Sequence, residues 1–346
     1  MSRDQRFDDF VGAWAGLLPE RAPVAATVLA LSRAVAEIAR LIAAGASDAM
    51  SRPVGGNAGG DQQKWLDLRT NEIVLTALTA APVAALASEE SDDVIALNPA
   101  GKLAVAIDPL DGSSNIDANT AIGTIFSILP ARSESDPDFS AFVAPGRMQL
   151  AAGFAIYGPQ TVLVFSLGAG THAAQFDPAL GAFRLVRSPL RLPAGCREFA
   201  INASNRRFWE PGIRAYFDDC LAGTEGPRGA NYNMRWNASL VAEAHRILGR
   251  GGVFLYPRDA RKGYGEGRLR LVYEANPIAF LVEQAGGAAT DGATPILDLV
   301  PASLHQRVPL VFGARDEVER VALYQRRMNE LEPAAPLFNR RGLYRH

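Results

Sequence analysis

The run Leu103-Ala104-Val105-Ala106-Ile107-Asp108-Pro109-Leu110-Asp111-Gly112-Ser113-Ser114-Asn115 decides how the chain is read. Five apolar residues ending at an acid predict a short buried strand, Leu103–Ile107, that runs into a loop at Asp108. Two carboxylates follow, three residues apart. Pro109 sets its own φ and restricts the residue before it, so the segment can hold both carboxylates and a backbone carbonyl toward one point. Hard cations such as magnesium take oxygen ligands of this kind. Gly112, Ser113 and Ser114 add backbone N–H groups in a small-residue turn that can form an anion nest. Cation ligands beside phosphate donors describe a metal-assisted phosphoryl-transfer site. The plainer alternative is an Asx-rich turn whose serines cap a helix, and either carboxylate alone would favour it.

Upstream, Val24, Val28, Leu31, Val35, Ile38 and Ile42 recur at helical spacing. Residues 44–60, rich in Gly, Ala and Ser, predict a flexible loop, and a second helix is predicted from Gln62 to Thr79. Downstream, the runs 122–129, 150–157, 161–167, 171–176, 182–187 and 198–202 read as strands separated by Gly and Pro, as in antiparallel meanders. Past residue 203 the pattern changes to helices over 210–222, 238–249, 275–285 and 315–331, with strands at Val253–Tyr256 and Val308–Phe312. Helices layered on sheets in both halves predict an α/β (α+β) architecture, divided into residues 1–195 and 196–346.

A chain of 346 residues fits about two domains. Lys plus Arg number 35 and Asp plus Glu 37, a net charge of −2, which argues against a nucleic-acid-binding face or an acidic solvating tail. Met1–Phe10 carries three aspartates and no apolar core, unlike a signal peptide. The apolar stretch Pro23–Ala46 is broken by Arg33, Glu37 and Arg40 and reads as an amphipathic helix rather than a membrane span. Cys196 and Cys220 make neither a disulfide scaffold nor a zinc site. The expectation is a cytoplasmic protein with no membrane or nucleic-acid partner.

Further acids could join Asp108. Glu89 and Glu90 follow the small apolar run Ala84–Ala87; adjacent glutamates are usually solvated, yet these could be ligands if the fold brings them in. Asp61 and Asp67 bracket the start of the second helix, where one could stabilise its first turn. Glu274 precedes an apolar helical run, where it could cap or ligate. Converging carboxylates would demand divalent cations or raised pKa values. Arg235, Arg258, Arg261, Lys262 and Arg268 could hold phosphate groups, though loop charges of this kind are more often simply solvated. The glycines at 55–60 match neither common nucleotide-binding pattern.

The strings Gly60-Asp61-Gln62, Leu66-Asp67, Ser88-Glu89-Glu90, Asp108 through Asp117, Gly123-Thr124-Ile125-Phe126, Gly252 through Pro257 and Leu269 through Pro277 resemble class 1 fructose-1,6-bisphosphatases. The match runs in order from residue 24 to 313. The Asp108–Ser113 part alone is shared with a wider magnesium-dependent phosphatase superfamily that includes inositol monophosphatases. The resemblance implies a layered α-β-α-β-α sandwich, a homotetramer, and hydrolysis of the 1-phosphate of fructose 1,6-bisphosphate in gluconeogenesis or carbon fixation. By motif position, two or more Mg2+ (or Mn2+) ions would be bound by Glu89, Glu90, Asp108, the carbonyl of Leu110, Asp111 and Glu274. Asp67 with Glu90 would activate the attacking water, and Asp61 would join when the 44–60 loop closes as a lid. Asp111, Gly112, Ser113 and Ser114 would contact the transferring phosphate. Asn202 and Tyr256 would hold the remote phosphate, with Arg235 reaching in from a neighbouring subunit and Arg268 at the sugar.

Arg268 stands where the family usually has a lysine, Trp236 replaces a usual tyrosine, and Asn205 lies near another. These departures leave sedoheptulose 1,7-bisphosphate as an alternative substrate. A non-catalytic sugar-phosphate-binding regulator is a third reading, disfavoured because Asp67, Glu90, Asp108, Asp111 and Glu274 are all present. The segment Pro19-Glu20-Arg21-Ala22-Pro23, and Lys102 followed by Leu103, lack the AMP-binding pattern of animal members, so weak or absent AMP inhibition is expected.

Overall fold

The computed structural model describes residues 5–45, 52–56, 62–131, 139–195 and 197–331. Helices α1 (Phe7–Ala15) and α2 (Ala22–Ala43) come first, then strands β1 (Pro53–Gly56) and β2 (Gln62–Lys64) and helix α3 (Trp65–Thr79). Strands β3 (Val83–Ser88), β4 (Ile95–Ala96), β5 (Leu103–Asp111), β6 (Ile122–Pro130), β7 (Ala151–Tyr157), β8 (Thr161–Ser166), β9 (Thr171–Asp177) and β10 (Ala182–Leu190) follow. They form one sheet in the order β10-β9-β8-β7-β6-β5-β3-β4. From β5 to β10 every neighbour is antiparallel, the expected meander, while β3 lies parallel to β5; the run at 198–202, expected to continue that meander, instead falls outside this sheet and pairs in parallel.

The second half contributes β11 (Glu198–Ala200), α4 (Pro211–Leu221), β12 (Asn233–Arg235), α5 (Leu240–Arg250), β13 (Val253–Tyr256) and β14 (Leu269–Arg270). A π-helical turn at Leu271–Ala275 leads into α6 (Asn276–Gln284), followed by β15 (Ala288–Thr290), β16 (Arg307–Val308), β17 (Leu310–Gly313) and α7 (Arg315–Leu331). The second sheet has the order β12-β11-β13-β17-β15.

Side-chain alternation stacks these parts into five layers. Phe7, Val28, Leu31, Ile38 and Leu66 of α1–α3 pack on the face of the first sheet that presents Val105, Phe126 and Leu163. The opposite face, with Ile125, Phe154 and Val164, meets Val241, Ile247, Ile278 and Leu281 of α5 and α6. Those helices also cover Phe254 and Phe312 of the second sheet. Val253, Leu255 and Val311 point the other way, onto Ile213, Phe217, Val318 and Val321 of α4 and α7. This is the expected α-β-α-β-α sandwich. Strands buried on both faces read as continuous apolar runs, and Leu103–Ile107 is one.

The stretch Pro19–Ala43 is long and apolar enough to cross a membrane by length and composition, but 67% of that window is buried inside the fold. Two further expectations need correction, and one helix was not anticipated. Within the loop predicted at 44–60, Pro53–Gly56 is a strand paired with Gln62–Lys64, and 46–51 and 57–60 lie outside the described residues. The second helix starts at Trp65, because Gln62–Lys64 is spent on that pairing and Lys64, at φ −106° and ψ 163°, is its cap. Helix α1 was not anticipated from a segment read for its aspartates, although Phe7, Phe10, Val11 and Trp14 fall on one helical stripe.

Candidate active site

Strand β5 continues past Ile107 to Asp111, where the apolar run alone predicted a loop. Across from it on β6, Asp108 faces Ile125 and Asp111 faces Gly123. The step is three residues on β5 and two on β6, so β5 carries one extra residue, a bulge around Pro109 and Leu110. In a regular strand, residues three apart point to opposite faces; the bulge returns Asp111 to the side of Asp108. Proline fits there because its missing N–H breaks no ladder bond. The Pro109 carbonyl instead accepts a 2.9 Å bond from Thr124 Oγ1, and the Leu110 N–H donates at 2.9 Å to Asp108 Oδ1.

Gly123 opposite Asp111 has a packing role. A Cβ there would lie 2.3 Å from the Ala155 carbonyl and 2.6 Å from Val241 Cγ2. The bare glycine lets the first turn of α5 come down on the sheet, where the Val241 N–H donates to Asp111 Oδ2 at 3.0 Å. Glu274 arrives from the π-helical turn before α6, its Oε2 held at 2.5 Å by the backbone N–H of Arg270. Carboxylate oxygens of Asp108, Asp111 and Glu274 then lie within 4.8 Å of one another, all three residues buried. Parallel pairing of β3 with β5 brings Glu89 alongside, its N–H bonded to the Ile107 carbonyl at 3.0 Å.

Asp67, in the first turn of α3, accepts the Lys64 N–H at 2.6 Å. Gly112 sits at φ +79°, and the turn Ser113–Asn115 follows it; a left-handed residue ahead of a right-handed turn makes an N–H concavity suited to anions. The Asn115 side chain ties that turn to the Ala238 carbonyl at 2.9 Å, just ahead of α5.

These groups line one cavity of about 480 Å³. Its walls are Lys64, Asp67, Glu89, Glu90, Asp108, Leu110, Asp111, Gly112, Ser113, Ser114, Asp117, Arg268 and Glu274, so seven carboxylates face two basic side chains. Burial, reinforced by repulsion from Glu89 and the other acids, holds Asp108 and Glu274 well above the ordinary carboxylate range. Burial likewise raises Asp111 to about 7 and Asp67 to about 6. Such a cluster is incomplete without positive charge, and its all-oxygen donors suit a hard divalent cation. Asn202 and Tyr256 line an adjoining cavity of about 250 Å³ with Trp236 and Ser239; it shares Asp111 and Ser114 with the first.

The expected metal and phosphate residues are thus brought together, apart from Asp61, which lies outside the described residues. Arg235 lies exposed on β12, 3.7 Å from Glu198, and within this chain lines neither cavity. Arg258 pairs at 3.8 Å with Glu210. Three residues, Lys64, Asp117 and Arg270, were quoted in the sequence strings or lay beside them without a role. Lys64 Nζ donates to the Ser113 carbonyl at 3.0 Å and to Asp117 Oδ2 at 2.9 Å, tying the nest to the segment that follows it. Arg270 is 2% exposed, with Nε 3.4 Å from Glu89 Oε1. An arginine inside the apolar run Leu269-Arg270-Leu271-Val272 was the signal available for it.

A five-layer sandwich with a buried acidic cluster beside an anion nest defines a sugar-phosphatase class of enzyme. Family models described as the N-terminal and C-terminal domains of fructose-1,6-bisphosphatase match residues 21–188 and 192–326. The chain is 57% identical to the class 1 fructose-1,6-bisphosphatase of Sinorhizobium medicae over 325 residues, 93% of each chain. It is 56% identical to that of Azorhizobium caulinodans, over 91% of this chain and 97% of the other. The crystal structure of the holo form of Leishmania major fructose-1,6-bisphosphatase superposes with a TM-score of 0.86 at 32% identity, covering 93% of this chain and 99% of that one. The chain belongs to the class 1 fructose-1,6-bisphosphatase family.

Proposed function

We propose that the acidic cavity carries out metal-dependent hydrolysis of the 1-phosphate of fructose 1,6-bisphosphate, giving fructose 6-phosphate and phosphate. The observation that carries this reading is the β5 bulge, which points Asp108 and Asp111 at Glu274 beside the Gly112 nest. Glu89, Glu90, Asp108, the Leu110 carbonyl, Asp111 and Glu274 would hold two or more magnesium ions, with manganese a substitute. Bound there, such cations screen the phosphate oxygens and acidify water.

The chain's own residues do the rest. Asp67, raised to about 6, and Glu90 take the proton of the attacking water; a base titrating just below neutrality is suited to that task. N–H groups of the 112–114 nest and the serine hydroxyls receive the transferring phosphate in fixed geometry. Asn202, Tyr256 and Arg268 hold the sugar and remote phosphate, so binding energy away from the reacting centre positions the substrate. Arg235 serves the site of a neighbouring copy in a homotetramer, and Asp61 joins when the loop before it closes. The enzyme is assigned to the cytoplasm, and domains 1–195 and 196–346 are supported by the first sheet ending at Leu190 and the second beginning at Glu198.

The test is phosphate release from fructose 1,6-bisphosphate, sedoheptulose 1,7-bisphosphate and inositol 1-phosphate, with magnesium and with chelator. Magnesium-dependent release from fructose 1,6-bisphosphate, well above that from inositol 1-phosphate, is expected. Absence of metal-dependent release from all three would overturn the reading, and faster turnover of the seven-carbon substrate would reassign it.

A further inference from the structure

Tyr264 lines neither cavity, yet two guanidinium groups rest on its ring. Arg261 Cζ is 4.0 Å and Arg268 Cζ 4.7 Å from the ring centroid, both inside cation–π range. Arg268 lines the acidic cavity. Arg261 lines a small recess with Asn202 and Tyr256, and both guanidinium charges act on the Tyr256 hydroxyl.

The stack is anchored at both ends. Arg261 Nε lies 3.0 and 3.1 Å from the two oxygens of Asp259, and Nη2 2.5 Å from Oδ2. Asp259, 6% exposed, balances the charge of Arg261. The loop closes on itself: the Asp259 N–H donates to the Tyr264 carbonyl at 3.2 Å and the Tyr264 N–H to the Arg261 carbonyl at 3.0 Å. Beyond Arg268, the chain is fixed by pairing of Leu269 with Val308. A planar guanidinium can lie on a ring and still present its donor fork to an anion, which an ammonium does less well.

We propose that Tyr264 is a positioning residue: its ring, steadied by Arg261 and Asp259, holds the Arg268 guanidinium in the wall of the acidic cavity, where it engages an anionic group of the sugar-bisphosphate substrate. The proposal rests on the reading of those cavities given above. Like-charge repulsion between Arg261 and Arg268 is offset by the ring and by Asp259, and the site gains an anion acceptor whose direction is set before substrate arrives. That pre-orientation acts on binding rather than on the chemical step.

The experiment is steady-state kinetics on magnesium-loaded, full-length enzyme with fructose 1,6-bisphosphate. Tyr264→Leu is expected to raise KM about fivefold, the worth of one cation–π contact, with kcat little changed. Tyr264→Phe, which keeps the ring, is expected to restore the wild-type KM. Arg268→Lys should cost less in the Tyr264→Leu background than in the wild type. An unchanged KM in Tyr264→Leu, or a Tyr264→Phe as impaired as Tyr264→Leu, overturns the proposal while wild-type turnover stands. Should Tyr264→Leu fail to fold, Tyr264→Gln gives the same comparison. A wild-type enzyme without metal-dependent release overturns the cavity reading first, and this proposal with it.

Discussion

Replacing Arg270 with glutamine tests how the acidic cavity is held together. The guanidinium is 2% exposed and its Nε stands 3.4 Å from Glu89 Oε1. Its backbone N–H, which glutamine retains, keeps the 2.5 Å bond to Glu274, so the substitution isolates the charge. Removing one partner of a buried pair costs about 3–5 kcal/mol, because the other charge is left uncompensated. At about 2 °C per kcal/mol for a chain of this size, the thermal midpoint in chelator should fall by roughly 6–10 °C. Saturating magnesium supplies the missing positive charge and should recover a large part of that deficit, by mass action on the folded state. The assay is thermal unfolding of Arg270→Gln, Arg270→Lys and wild type, each in chelator and in magnesium, with the lysine variant intermediate. A midpoint for Arg270→Gln indistinguishable from wild type in chelator, or a deficit that magnesium leaves unchanged, would refute the electrostatic argument and reduce Arg270 to packing.

Four further outcomes are expected. Asp108→Asn should lower magnesium-dependent phosphate release by at least about a hundredfold, with no loss of thermal midpoint in chelator, since one repelling acid is gone; near-normal turnover in a folded variant sinks the site assignment. Gly123→Ala should destabilise by about 1–3 kcal/mol through overpacking and weaken the Val241–Asp111 contact, seen as a lower melting midpoint together with a reduced kcat/KM. Asp111 and Asp67 are raised from 3.8 to about 7 and about 6, so their contribution to stability is present at acid pH and lost as pH climbs through those values. Metal-free protein should therefore melt progressively lower from about pH 4 to about pH 7 and level off above that, and magnesium should flatten the profile; a midpoint rising over that range would contradict the assignment. AMP titration against fructose 1,6-bisphosphate hydrolysis should show weak or no inhibition, and strong inhibition at low AMP would overturn the reading of residues 19–23 and 102–103.

The layers were legible because their signals are local. Helix α2 announces itself by Val24, Val28, Leu31 and Val35 at one spacing, and β6 to β10 by short apolar runs between turn residues. What was lost is instructive. Strand β3 is Val83-Ala84-Ala85-Leu86-Ala87-Ser88, and alanine is a poor strand signal; its place is set by parallel pairing with β5, a contact between segments twenty residues apart. Helix α1 is only nine residues long, and along the sequence Asp8 and Asp9 interrupt the stripe formed by Phe7, Phe10, Val11 and Trp14. Cysteine, charge and hydropathy counts carried no information about either element.

The candidate site shows the same division more sharply. Each acid could be picked out by type, and Pro109 allows Asp108 and Asp111 to point one way, although their spacing taken as a regular strand argues against a shared face. Only the mismatch between a three-residue step on β5 and a two-residue step on β6 brings them round, and that mismatch depends on a partner strand the run itself does not contain. The bulge in turn accommodates Pro109 where no ladder donor is needed, and requires a glycine at 123 where α5 presses on the sheet. Arg270 follows the same logic: an arginine amid leucines looks like an anomaly until the fold surrounds it with Glu89 and Glu274, at which point burying the cation is what makes a cluster of buried carboxylates tolerable before any metal arrives.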